Sequence, residues 1–388
     1  MANPLTWLEF FAGGGMARLG LGERWRCVFA NEWSEKKAAA YTNRFGFGDP
    51  KICKELRIAD VAKLTTADLP GKPDLAWASF PCQDLSLAGA GAGLIGHRSG
   101  TFRSFWKLME GLAGENRAPK IVVIENVVGA ITSHGGRDLF EILNRISETG
   151  YSVGPMVIDA VRFVPQSRPR LFVVAVRDGL AVPSDLDSGI PHTFCHPISL
   201  VNAHAELAGR LKGRWLWWNL PAPTRRTKKL TDLIEEEPTG VQWHSYEQTQ
   251  NLLDMMSDLN LGKVRNAQAM RSRIVGTIYR RTRPDDAGEK VQRAEVRFDD
   301  KSGCLRTPVG GSSRQIILVV EGKSIRSRLL SAKEAARLMG VPKDYPIPPN
   351  YNEAYHLFGD GVAVPVVRHL EEHLLWPLAA GEAAVRAA

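Results

Sequence analysis

Through its first half this chain repeats one pattern: a short apolar run, a turn, then a helical stretch. Residues 5–11 read as a strand, 12–15 as a glycine-rich turn, and 16–21 as the opening of a helix. Further strands are expected at 27–30, 74–79, 120–124 and 171–176, with helices at 36–44, 102–112 and 138–148. Strands joined through helices pair in parallel, and the helices then cover both faces of the sheet. The spacing therefore predicts an α/β fold with a doubly covered parallel sheet. That rhythm is lost after about residue 185. It returns at 331–340, where Ser331 with Glu334 reads as a helix-capping box, and a glycine-rich turn and a final helix over 358–375 close the fold. Two domains are expected: 1–185 together with 328–388, and an inserted 186–327.

Charge follows the same division. Residues 195–330 carry 23 Lys/Arg against 15 Asp/Glu, which equals the whole net charge of +8. A basic insert on an otherwise neutral chain points to a polyanion, most often nucleic acid. No run of about 18 apolar residues occurs, so no membrane-spanning helix is expected. The amino terminus does not read as a signal peptide. Five cysteines without a C-x-x-C pair exclude a disulfide framework and point to a reduced, cytoplasmic protein. The group His192, Cys195 and His196 offers one thiolate and no paired motif, so no metal site is expected.

The turn Phe11-Ala12-Gly13-Gly14-Gly15 between a strand and a helix suits a nucleotide-type ligand, because glycine lets the chain bend and a ligand approach the backbone. Glu32 follows at the end of the second strand, where an acid accepts from ribose hydroxyls. Trp33 offers a flat face for adenine, and Asp60 and Val61 follow a third short segment. NAD, FAD and S-adenosylmethionine all satisfy this constellation.

Cys82 decides the chemistry. It stands in Pro81-Cys82-Gln83, just past a strand, at the sheet edge where open α/β folds bind ligands. A second strand runs into Glu125-Asn126-Val127, and Arg168 and Arg170 precede a third. Adjacent guanidinium groups favour a thiolate, the reactive form of cysteine. The glycine-rich stretch 88–100, which holds Arg98, has the composition of a lid.

In Phe-Ala-Gly-Gly-Gly (11–15), Asn-Glu-Trp (31–33), Asp60, Pro-Cys-Gln (81–83), Glu-Asn-Val (125–127), Gln-Ser-Arg-Pro-Arg (166–170), Arg-Leu-Met-Gly (337–340) and Gly-Asp-Gly-Val (359–362), the chain resembles the DNA (cytosine-5) methyltransferase family. The resemblance covers most of 5–177 and 328–375. It implies a Rossmann-like S-adenosylmethionine-dependent catalytic domain, with the basic insert as a smaller, mixed target-recognition domain. It also implies Cys82 as a nucleophile toward C6 of cytosine, Glu125 at N3 of the base, and Arg168 and Arg170 holding the base and the nucleophile region. A carboxylic acid beside two arginines would ordinarily be ionised, so the arginines are expected to face the base and the thiol. For the cofactor the resemblance implies Phe11, Ala12, Gly13, Gly15, Glu32, Trp33, Asp60, Val61, Pro81, Asp360 and Val362, with S-adenosylhomocysteine as product. Asp360 stands where the family commonly has Asn. Gln83, Ser86, Arg98, Arg225, Arg226, Lys228 and Lys229 are the candidate DNA contacts. The partner implied is double-stranded DNA, with structured RNA such as tRNA as the alternative substrate. A monomer is expected, with a cognate restriction endonuclease as a separate chain.

Overall fold

In the computed structural model, residues 4–46, 53–80, 100–284, 288–307 and 314–385 are described. The chain runs β1 (Leu5–Phe10), α1 (Met16–Leu21), β2 (Trp25–Glu32), α2 (Glu35–Phe45), β3 (Leu56–Ile58), β4 (Leu75–Ala78), α3 (Gly100–Gly114), β5 (Ile121–Val127), α4 (Arg137–Glu148), β6 (Tyr151–Asp159) and β7 (Pro169–Arg177). Two short helices, α5 (Ile198–Ala205) and α6 (Gly209–Lys212), follow. Next come α7 (Tyr246–Asp254), α8 (Asp258–Ala269), β8 (Ile274–Pro284), β9 (Lys290–Arg297), β10 (Ile316–Glu321), β11 (Ser324–Leu329), α9 (Ala332–Leu338) and α10 (Tyr351–Asp360). The chain ends on α11 (Val364–Leu370), a π-helical turn and α12 (Trp376–Val385). The glycine-rich turn and final helix expected over 358–375 correspond to the break after α10 and to α11 with the π-helical turn that follows it. None of the helices among the described residues is long and apolar enough to cross a membrane.

Two compact units emerge. One comprises 1–159, 169–224 and 364–388; the other comprises 160–168 and 225–363. These divisions lie away from the expected 185/186 and 327/328. Residues 186–224 return to the first unit, where Trp215 bridges Val153 and the Trp218 indole donates to Gly154 O at 3.0 Å. The tryptophans of 215–218 are therefore core of the first unit, not of the basic insert. Within the second unit, Arg328 and Glu334 form a fully buried ion pair that ties β11 to α9.

The first unit is built on a seven-stranded sheet ordered β3-β2-β1-β4-β5-β7-β6. β4 and the first half of β5 are apolar, as strands covered on both faces tend to be: Leu75–Ala78 and residues 121–124 are all buried. Helices pack through one face each, α3 through Phe102, Phe105, Trp106, Met109 and Leu112, and α4 through Leu139, Ile142, Leu143 and Ile146. The sheet is not wholly parallel, because β7 runs antiparallel to both β5 and β6. Only residues 160–168 join β6 to β7, too few for the helical crossover that a parallel pair requires. The strand order reverses between β1 and β4. A crevice at such a switch point, at the carboxyl ends of the strands, is where open α/β sheets bind ligands.

The second unit is centred on a four-stranded antiparallel sheet ordered β11-β10-β8-β9. α7 and α8 cover one face, with Leu252, Val264, Ile278, Val296 and Leu318 in its core.

Candidate active site

The first half of the site grows from the ends of β1 and β2. Phe11 has φ 59°, a left-handed backbone that costs a non-glycine residue about 1 kcal/mol. Its strain turns the chain sharply out of β1, and Ala12 N–H is caught by Asn31 O at 2.9 Å. Gly15, at φ 74°, cannot be replaced in place: a Cβ there would lie 2.3 Å from the Phe45 ring. Glu32 is buried and fastens the turn to β2. Its Oε2 accepts from Gly13 N–H at 2.8 Å, and its Oε1 accepts from Trp33 N–H at 3.0 Å and Ser34 N–H at 2.9 Å. A carboxylate offers about four acceptor sites, so one remains for a ribose hydroxyl.

The space beside the turn suits an adenosine-bearing group. A Cβ at Gly13 would meet nothing within 4 Å. Trp33 is 71% exposed, so its ring is available to stack and is not core. Asp60 is exposed and accepts from Ala62 N–H at 2.9 Å, capping a short 3-10 turn, while Val61 is buried in the core. Asn31, to which no role was assigned from sequence, donates to Ala59 O at 2.9 Å and holds the Asp60 turn against β2.

The second half lies at the ends of β4 and β5. These strands pair in parallel with Ala78 opposite Ile124, so Phe80, just past β4, and Glu125, near the end of β5, lie at the same edge of the sheet. Asn126 Nδ2 donates to Phe80 O at 3.4 Å across this gap, and the rings of Phe11 and Phe80 stand 6.5 Å apart. Pro81, Cys82, Gln83, Ser86 and Arg98 lie outside the described residues. Glu125 is buried, and Arg170 Nε lies 3.2 Å from its Oε1. Arg170 thus faces the acid, contrary to the expectation from sequence, because β7 runs antiparallel beside β5 and sets Arg170 opposite Val127.

Arg168 makes a different set of contacts. Buried in the second unit, it donates to Leu305 O at 3.0 Å, Gly359 O at 2.8 Å and Gly361 O at 2.6 Å, and lies 3.3 Å from Cys304 Sγ. Gln166, two residues earlier, donates to Leu338 O at 2.8 Å and accepts from Leu305 N–H at 3.0 Å. The two side chains knit the 304–305 segment to the segments around 338 and 359–361. Asp360, expected beside the cofactor or thiol loop, accepts from Thr307 Oγ1, and Val362 is buried; both belong to the second unit.

In the basic run, Arg225, Lys228 and Lys229 are exposed. Arg226 is not a free cation: it donates to Val161 O at 3.1 Å and Asp300 O at 3.0 Å and pairs with the Asp300 carboxylate. His196 is buried with its Nδ1 accepting from His192 N–H at 2.8 Å, and burial pulls its pKa down to about 4.

One further acid, Glu9 in β1, was not singled out from sequence. It is 1% exposed, and burial pushes its pKa up to about 8 although Arg18 counteracts the rise.

Comparison with known proteins agrees with this architecture. Residues 5–376 match the family model described as C-5 cytosine-specific DNA methylase. The chain is 26% identical over 366 residues to the Type II methyltransferase M.BsuFI of Bacillus subtilis, covering 94% of this chain and 71% of that protein. It is 27% identical to the Type II methyltransferase M.HpaII of Haemophilus parainfluenzae, over 97% of this chain and 90% of that one. Among solved structures, the Entamoeba histolytica methyltransferase EhMeth superposes with a TM-score of 0.62 at 12% identity, covering 97% of this chain and 99% of that one. S. pombe Dnmt2 superposes with a TM-score of 0.56 at 18% identity, covering 97% and 99%. The sheet, its switch-point site and a family match spanning nearly the whole chain lead to one conclusion: this protein belongs to the C-5 cytosine-specific DNA methylase family.

Proposed function

We propose that the chain methylates C5 of cytosine within a specific sequence of double-stranded DNA, using S-adenosylmethionine and releasing S-adenosylhomocysteine. When bound, that cofactor supplies an electrophilic sulfonium methyl. Phe11, Ala12, Gly13, Gly15, Glu32, Trp33, Asp60 and Val61 of the first unit would hold it, with Pro81, Asp360 and Val362 as further candidates.

C5 of cytosine is a weak nucleophile. Addition of the Cys82 thiolate to C6 makes the ring enamine-like, which is covalent catalysis. Glu125 relieves the charge that builds toward N3. With the methyl on C5, solvent water would take the C5 proton, the C–H electron pair would restore the C5–C6 double bond, and the C6–S bond would break to return the thiolate. Arg170 orients Glu125, and Arg168 braces the second unit. The reacting ring must leave the base stack, which takes a few kcal/mol. Residues 186–327 are the candidate recognition domain, of which 225–327 fall in the second unit, and a bacterial cytoplasm is the expected setting, with or without a cognate endonuclease.

The observation that carries this reading is the parallel β4–β5 pair. It brings Phe80 and the buried Glu125 to one edge of the sheet, and β4 lies beside β1, which leads into the Gly13 turn. The test is tritiated methyl transfer to duplex DNA and to tRNA. Duplex DNA is expected to be labelled, Cys82→Ser to abolish transfer while still binding cofactor, and 5-fluorocytosine DNA to trap a covalent complex. Full activity of Cys82→Ser, or labelling of tRNA alone, would overturn the reading.

A further inference from the structure

The hairpin β8–β9 outgrows its sheet. β8 pairs with β10 only from Ile274 to Ile278, but pairs with β9 from Thr277 to Pro284. Beyond Ile278 the two strands continue as a ribbon, with no third strand beside them among the described residues. The core ends one step further on, at Ala294 opposite Arg280. Ile278, Ala294 and Val296 are buried, whereas Arg280, Arg281, Thr282, Lys290, Gln292 and Arg293 are exposed. Two-stranded ribbons without a hydrophobic face are marginal in water, so burial does not explain this extension.

Its charge pattern is also unfavourable in isolation. Arg281 stands directly opposite Arg293 in the antiparallel register, and like charges at such positions destabilise a strand pair. Glu295 approaches Arg281 at 3.4 Å, but the side chains are 37% and 48% exposed, respectively, so solvent screening leaves the relief small. The Tyr279 ring supports Arg281 from 5.8 Å. Two guanidinium forks held side by side on one face match the O6/N7 edge of guanine and backbone phosphate. A two-stranded ribbon fits the B-DNA major groove, about 12 Å wide, whereas the major groove of A-form RNA is too narrow for side-chain reading.

We infer that the β8–β9 ribbon enters the major groove of the substrate DNA, with Arg281 and Arg293 on the base-reading face, and so helps set which sequence is methylated. This rests on the function proposed above. It moves the recognition element away from the 225–229 run, where Arg226 is already committed within the unit.

The experiment uses the full chain, a randomised duplex DNA library and bisulfite sequencing. Arg281→Ala and Arg293→Ala are expected to lose about 5- to 150-fold of the preference for guanine at one or more positions, the range of a bidentate base contact. Total methylation of the library should persist. Arg281→Lys and Arg293→Lys should lose the same preference, because an ammonium keeps the charge but lacks the fork. Thr282→Ala and Gln292→Ala, on the opposite face, should leave the profile unchanged. An unchanged profile in all four arginine variants would overturn the proposal. So would retention of preference in the lysine variants alone, or a profile that shifts only in the Thr282 and Gln292 variants. Failure of the unaltered protein to methylate any DNA would instead remove the function itself, and the ribbon's role with it.

Discussion

Arg170 Nε stands 3.2 Å from Glu125 Oε1 across the antiparallel seam between β7 and β5. The two side chains are 15% and 7% exposed, so the ion pair offsets much of the cost of burying the Glu125 carboxylate. Arg170→Ala should therefore destabilise the protein by about 3 kcal/mol, and the double variant with Glu125→Gln by less than the sum of the single changes, in denaturant titrations. Glu125→Gln should also lower methyl transfer by about 10²- to 10⁴-fold with cofactor affinity unchanged. A cofactor-binding defect of similar size would show that Glu125 shapes the pocket and does not act on the base.

Glu9 makes stability depend on pH. Its folded pKa of about 8 exceeds the ordinary 4.5, so the folded state holds this proton more tightly than the unfolded chain. The favourable contribution is complete below pH 4.5 and is lost as pH rises through about 8. Arg18, Glu55 and Glu32 are the charged groups that act on it. Glu9→Gln cannot ionise, so its melting temperature should fall less than that of the unaltered protein between pH 5 and pH 8.5. Parallel melting curves in that interval would refute the burial argument.

Gly13 and Gly15 both have positive φ but should fail differently. Gly15→Ala collides with Phe45 and should weaken folding of α1 and α2, visible as a lowered melting temperature. Gly13→Ala meets no neighbour, so its cost is the left-handed backbone alone, about 1–2 kcal/mol. The added methyl points into open space beside Glu32, where the cofactor is proposed to sit. Isothermal titration with S-adenosylhomocysteine should then show a loss of affinity out of proportion to the small stability change.

Much of this was legible from residue pattern, and the exceptions have physical causes. The limits of α1 and the Ser331–Glu334 capping box follow from local chemistry and match the structure. β6 was not recognised because Gly154 and Pro155 interrupt its apolar run. Proline is tolerated there because β6 is the sheet edge, and glycine because the Trp218 indole needs its space. The antiparallel course of β7 depends on the missing crossover helix, not on any property of the strand itself. Arg168 and Arg170 look equivalent in sequence, yet one precedes the strand and turns into the second unit while the other lies on the strand and faces Glu125. Only tertiary contacts distinguish them.

The buried pair Arg328–Glu334 should resist hydrophobic replacement, unlike many buried ion pairs. Arg328 donates to both oxygens of Glu334, at 2.8 and 2.6 Å, and to Glu235 O at 2.8 Å. The carboxylate also accepts from Ser331 N–H and Glu235 N–H, each at 2.8 Å. Replacing both partners by leucine and methionine removes the charges together, which is often harmless when a pair stands alone. Here it would take those partners from two backbone donors and from two carbonyls, Glu235 O and Leu329 O, at about 1–3 kcal/mol for each group left unsatisfied. Glu334→Gln keeps an acceptor oxygen for one of those amides while leaving Arg328 uncompensated. The expected order of stability in urea titrations is unaltered protein, then Glu334→Gln, then Arg328→Met, with the apolar double variant no better than Arg328→Met. Recovery of stability in the double variant would mean that the ion pair, and not the backbone it satisfies, dominates this junction.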